Sequence, residues 1–158
     1  MLNHISKIES EFIFSSFSVS DAHDLGAILT KRAVDENLPI IIDISSPLIT
    51  YYHFANVGST SNNEAFIQRK RNTVLLFHHS TWWVNYKVEN DTIAMHEKYG
   101  TNDEDYSILY GGWPIIVKDL GVVGSICISG LTQEADNQLI IDALNTKFKK
   151  NINPNLVD

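Results

Sequence analysis

The chain has 158 residues, 44% of them hydrophobic, and a net charge of −7 from 12 basic and 19 acidic side chains. That length suits one domain with a substantial core, and that apolar content excludes a disordered chain. The acidic balance argues against a general binder of nucleic acid or of anionic membranes, and no apolar run is long enough to span a bilayer.

The first residues, "MLNHISKIESEF", are mixed and charged and contain no apolar signal core. A single cysteine, Cys127, allows no intramolecular disulfide and fits a reducing compartment, so a cytoplasmic location is expected. Segment 11–17, "EFIFSSF", alternates Phe12 and Phe14 against Ile13 and predicts a strand. A helix follows from Asp21 to Asn37 behind Ser20, with Ala22, Leu25, Ile28, Leu29 and Ala33 as its apolar stripe. Pro39 ends it. Residues 40–45, "IIIDIS", and 48–55, "LITYYHFA", predict two strands joined by the turn "SSP".

Ser61 and Glu64 have the spacing of a capping box, a strong helix start. Val74, Phe77, Thr81, Val84 and Val88 extend the apolar spacing, predicting one long central helix through "FHHSTWWVN" to Asn90. "TIAMHEKY" predicts a short helix stopped by Gly100, and "TNDEDYS" a polar loop. Thr132 caps a final helix with Leu139, Ile140, Ala143, Leu144 and Phe148 on its apolar side, and the tail "NINPNLVD" is expected to fray.

Residues 110–130, "YGGWPIIVKDLGVVGSICISG", hold five of the eight glycines. No phosphate-binding pattern is present: neither G-x-x-x-x-G-K-[ST] nor G-x-G-x-x-G leads into a helix. Asp119, Leu120 and Gly121 between two apolar runs predict a hairpin instead, with Lys118 opposite Val122. In that register Trp113, Ile115 and Val117 share a face with Ser125, Cys127 and Ser129, unless a bulge at Gly121 swaps one strand. Both faces are apolar, so both need cover from helices or from another subunit.

Six histidines invite a metal reading, but none are paired at i,i+4 in a zinc-binding pattern, and no metal site is expected. Cys127 has no electropositive neighbour in sequence and reads as a small core residue. "QRKR", 68–71, holds the longest run of consecutive basic residues, so Arg69 or Lys70 is the candidate to pair with a ligand carboxylate or to close a subunit interface. No catalytic constellation emerges from the residues.

Gly58, Thr60, Asn62 or Asn63, Phe66 and Arg69-Lys70, then Gly111 to Ile115, then Ser129 to Asp136, form an ordered set of motifs. These stretches resemble the GlcG/HbpS-like, or heme-degrading-domain, family, and specifically a branch of small cytosolic proteins of bacteria and fungi. Ser61 stands where that branch has proline, Phe66 where it usually has tryptophan, and Asn137 where it has histidine. The resemblance implies an α+β fold, an antiparallel sheet of about five strands packed with helices in a three-layer sandwich, and assembly into homodimers or larger homo-oligomers.

One domain over 1–158 is therefore expected to bind a small molecule. The resemblance implies haem or another tetrapyrrole, held near the long helix and the strand of small residues. Asn63, Arg69, Lys70, His78 and Ser129 are the candidate ligand contacts. Nucleic acid and membrane are not expected partners. Two other classes stay open: a haem-degrading or redox enzyme, and an oligomeric protein-interaction scaffold.

Overall fold

The computed structural model describes residues 1–156. Helix α1, Leu2–Ser10, buries Ile5 and Ile8. A two-residue strand β1, Ile13–Phe14, leads to α2, Val19–Asp35, which begins in a capping box between Ser18 and Asp21. Ser18 supplies the cap, two residues ahead of the expected Ser20, because its hydroxyl and backbone N–H both meet Asp21. The expected stripe holds: Ala22, Leu25, Leu29 and Ala33 are buried. Gly26 lets α2 lie directly on the sheet, since a Cβ there would sit 2.5 Å from the Tyr52 ring.

Strands β2, Ile41–Ser45, and β3, Thr50–Ala55, form the expected pair, and α3, Ser61–Phe77, follows. Two short helices, α4, Thr81–Lys87, and α5, Thr92–Tyr99, lead to β4, Gly112–Val117, β5, Gly121–Ser129, and α6, Gln133–Phe148. The sheet order is β1-β4-β5-β2-β3. Four strands are antiparallel, but β1 runs parallel to β4, so the sheet is mixed. Ile42 and Ile44 pack with Trp113, Ile115, Ile126 and Ile128 beneath α2 and α6. Ile41 and Cys127 face Ile67 of α3 on the other side. Helix, sheet and helix make the three layers.

Several expectations change. Residues 11–17 contribute only the two-residue strand, because α1 runs on to Ser10 and Ser18 is already a cap. The α3 box joins Thr60 to Asn63, whose Oδ1 accepts from the Thr60 N–H at 2.9 Å; Glu64 turns instead to His53. The expected long helix breaks at His78, which adopts the left-handed conformation (φ 57°). Ser80 then caps α4 through the Trp83 N–H, and the carboxylate of Glu9 in α1 accepts from the Ser80 N–H at 2.8 Å.

The hairpin also slips by one residue. Val117 pairs with Gly121, the turn is Lys118–Leu120, and β5 carries an extra residue opposite the Ile115–Ile116 step. Trp113 therefore pairs with Ile126 and Gly112 with Cys127, so Ser125, Cys127 and Ser129 lie on the α3 face and not with Trp113. Both faces of the hairpin are covered within the chain. The tail is held where fraying was expected, by Asn145 bonded at both ends to the backbone of Ile152; Val157 and Asp158 lie outside the described residues.

Candidate functional site: two hollows at the start of α6

Thr132 caps α6 by accepting from the Ala135 N–H at 3.2 Å. The next turn presents neighbouring residues to two different hollows, Asp136 to one and Asn137 to the other.

The smaller hollow, about 140 Å³, lies between α3 and the β5–α6 junction and is lined by Asn63, Phe66, Lys70, Ser129 and Asp136 among others. Lys70 and Asp136 form an ion pair at 3.2 Å, each side chain only 3% exposed. The ammonium also donates to the Ile128 carbonyl at 2.7 Å, and Asp136 Oδ1 accepts from the Leu131 N–H at 3.0 Å. Burial pushes Lys70 down and Asp136 up, against the pull of each on the other. The double-glycine segment makes room for this pair: Gly111 has φ 107°, and a Cβ there would sit 2.7 Å from the Ile128 carbonyl oxygen and 2.9 Å from Lys70 Nζ.

Three of the five candidates read from the sequence thus gather here: Asn63, Lys70 and Ser129. Asn63 is occupied by the α3 cap and Lys70 by Asp136. Arg69 lies beside them with its guanidinium 4.8 Å over the Phe66 ring. His78 stands apart, exposed at the far end of α3, about 12 Å along the axis from Lys70 at 1.5 Å per residue.

A second polar cluster sits on the same face toward β3. His53 bridges Asp43 (2.8 Å) and Glu64 (2.9 Å), and Asp43 also accepts from Ser45 Oγ at 2.6 Å. Burial opposes a charge on His53, but the two carboxylates outweigh it and raise its pKa. Cys127 lies in the interior nearby, its thiol pushed up to about 12 by burial and by Asp43, which excludes a thiolate nucleophile.

The larger hollow is a groove of about 660 Å³, within the range of small-molecule sites. Trp82 and Tyr86 of α4, Tyr110 before β4, and Glu134 and Asn137 of α6 line it. The Trp82 and Tyr110 rings lie 6.3 Å apart, tilted by 52°. Burial and the neighbouring Tyr86 push the Tyr110 phenol up to about 12, so it stays neutral. Asn137 is only 6% exposed, and its Oδ1 has no hydrogen-bond partner among the described residues. None of these groove residues was among the candidates read from the sequence. The signal was partial: Trp82 and Tyr86 have i,i+4 spacing, but only the fold brings Tyr110 and Asn137 to them.

Among the described residues, no histidine or cysteine lines this groove; Tyr86 and Tyr110 are side chains of a haem-ligating type, and Glu134 is the one charged side chain, which would repel the carboxylates of a macrocycle. His4 stands edge-on to Trp82, but its Nε2 is bonded to the Pro154 carbonyl at 2.8 Å.

Known proteins place the chain in a family. A protein from Psychromonas ingrahamii named UPF0303 protein is 34% identical over 141 residues, 89% of each chain. The crystal structure of the Ybr137w protein superposes with a TM-score of 0.86 at 27% identity, covering 96% of this chain and 90% of that one. A structure described as a PduOC–heme complex shares the fold alone, with a TM-score of 0.68 at 17% identity, covering 82% of this chain and 93% of that one. The family model described as haem degrading protein HbpS-like matches residues 17–145, and the chain belongs to that HbpS-like family.

Proposed function

We propose that the protein is a non-catalytic, self-associating binder of a flat small molecule, held in the aromatic groove at the start of α6. One observation carries this reading: a groove of about 660 Å³ walled by Trp82, Tyr86 and Tyr110 and open to solvent. Aromatic walls favour a ring system over a flexible chain, because ring faces stack at little entropic cost. The Lys70–Asp136 hollow serves as the junction that fixes α6, and so the groove wall, against α3.

Nile red, a neutral fluorescent dye, tests the groove. Its emission should rise saturably at micromolar protein, and Tyr86→Ala should weaken binding at least threefold. Absence of saturable emission would sink the reading. The family match supports a second reading, haem binding. Titrating haemin while following the Soret band separates the two. No saturable shift is expected, and a saturable one at micromolar protein would put the haem reading first.

A further inference from the structure

We propose that the groove at the start of α6 selects organic cations: its ligand is a planar ring system with a quaternary nitrogen, held on the faces of Trp82, Tyr86 and Tyr110 with Glu134 as counter-charge. The inference rests on the binding-groove reading above and adds the charge of the occupant.

The face of an aromatic ring carries negative potential, so a cation within about 6 Å of its centroid is attracted, most strongly by tryptophan. The Trp82 and Tyr110 rings, 6.3 Å apart and tilted by 52°, form two adjoining walls, close enough for one nitrogen to face both. Tyr86 is 40% exposed and adds a third ring with surface open to a ligand. Burial and Tyr86 raise the Tyr110 phenol to about 12, and Glu134 adds to that push, so the carboxylate acts on the space beside this ring. Glu134 forms no ion pair among the described residues, which leaves its charge for a ligand.

Little in the groove opposes a positive ligand. No lysine, arginine or histidine lines it among the described residues. The only positive group on a lining residue is the α-amino group of Met1, which is 56% exposed and so solvated. The positive end of α6 is already answered: Thr132 Oγ1 accepts from the Ala135 N–H, and Glu134 and Asp136 stand in the first turn. An anion would meet Glu134 with no basic side chain to offset it, and a neutral ring would leave both the carboxylate and the ring potential unused. The volume of about 660 Å³ takes two or three fused rings.

The test uses the full chain and three probes. Nile red is neutral and asks whether the groove takes a flat ring at all. N-methylquinolinium is a planar cation; 4-methylquinoline has the same two rings and one methyl group and is uncharged near neutral pH. By isothermal titration calorimetry, wild-type protein should bind the cation at least tenfold tighter than its neutral counterpart. A chain of net charge −7 attracts any cation at long range, so two variants decide whether the groove is responsible. Glu134→Gln and Tyr86→Leu should each cut the cation preference at least threefold, and Glu134→Gln should leave Nile red binding unchanged. Both side chains are exposed, so both variants should fold, which circular dichroism checks. If Nile red binds but the two quinolines bind alike, or either variant keeps the full preference, this inference falls and the groove reading stands. If none of the three probes binds, both fall.

Discussion

Lys70 and Asp136 show what a charged motif residue does when the chain folds around it. Each is nearly excluded from water, and each carries a pKa shift in the direction that burial alone would give. Such a pair contributes little net stability compared with apolar residues, but removing one member strands the other. Lys70→Met should therefore cost about 3–5 kcal/mol in urea unfolding. Adding Asp136→Asn, which keeps the oxygen that accepts from the Leu131 N–H, should recover most of that loss. A double variant as unstable as the single one would show that the charge pair is not what Lys70 supplies. The position was legible in sequence because "QRKR" holds the longest run of consecutive basic residues in an acidic chain. Its partner was not, because Asp136 lies 66 residues away and only the register of the sheet joins them.

Among the elements, local signals were readable wherever a cap or turn decided the matter. The α2 stripe, the left-handed Gly100 stop and the Thr132 cap of α6 all follow from nearby residues. The prediction failed where a distant group intervened. The apolar spacing from Val74 to Val88 suits a continuous helix, yet the chain breaks at His78 because α1 supplies a better partner. The buried Glu9 accepts from both the Ser80 N–H and His79 Nδ1, and the His79 ring stacks on Trp83 with centroids 3.8 Å apart. Helix α1 itself was missed, although Ile5, Ile8 and Phe12 have helical spacing and all are buried. This junction positions α4, and with it the groove residues Trp82 and Tyr86. Glu9→Ala should cost about 2–3 kcal/mol, since it removes a charge-assisted acceptor and leaves a buried N–H unpaired. Glu9→Gln should cost less and keep the break. A loss below about 0.5 kcal/mol for Glu9→Ala in urea unfolding, the usual scale of surface changes, would mean that the break is set locally by Ser80.

At the scale of the molecule, the fold class and the three layers followed from the family resemblance, with which the order of elements agreed, whereas the argument for assembly has to be moved. The two-sided apolar hairpin looked like a reason to associate, but α6 covers one of its faces and α3 the other. What remains open is the sheet edge at β3. Its sequence, "TYYHFA", has no lysine, proline or acidic residue to deter pairing, and its flanks carry Leu48 at 93%, Ile49 at 58% and Val57 at 91% exposure. An unblunted edge beside exposed aliphatic residues invites a second chain. Native mass spectrometry at micromolar concentration should show a dimer or a larger homo-oligomer. Leu48→Lys with Val57→Lys should shift that population toward monomer, while thermal unfolding of the monomer changes little, because neither side chain packs against its own chain. A wild-type monomer would contradict the assembly claim. An oligomer indifferent to both lysines would move the interface away from β3, most plainly to the opposite edge, where β1 covers β4 with only two residues, Ile13 and Phe14.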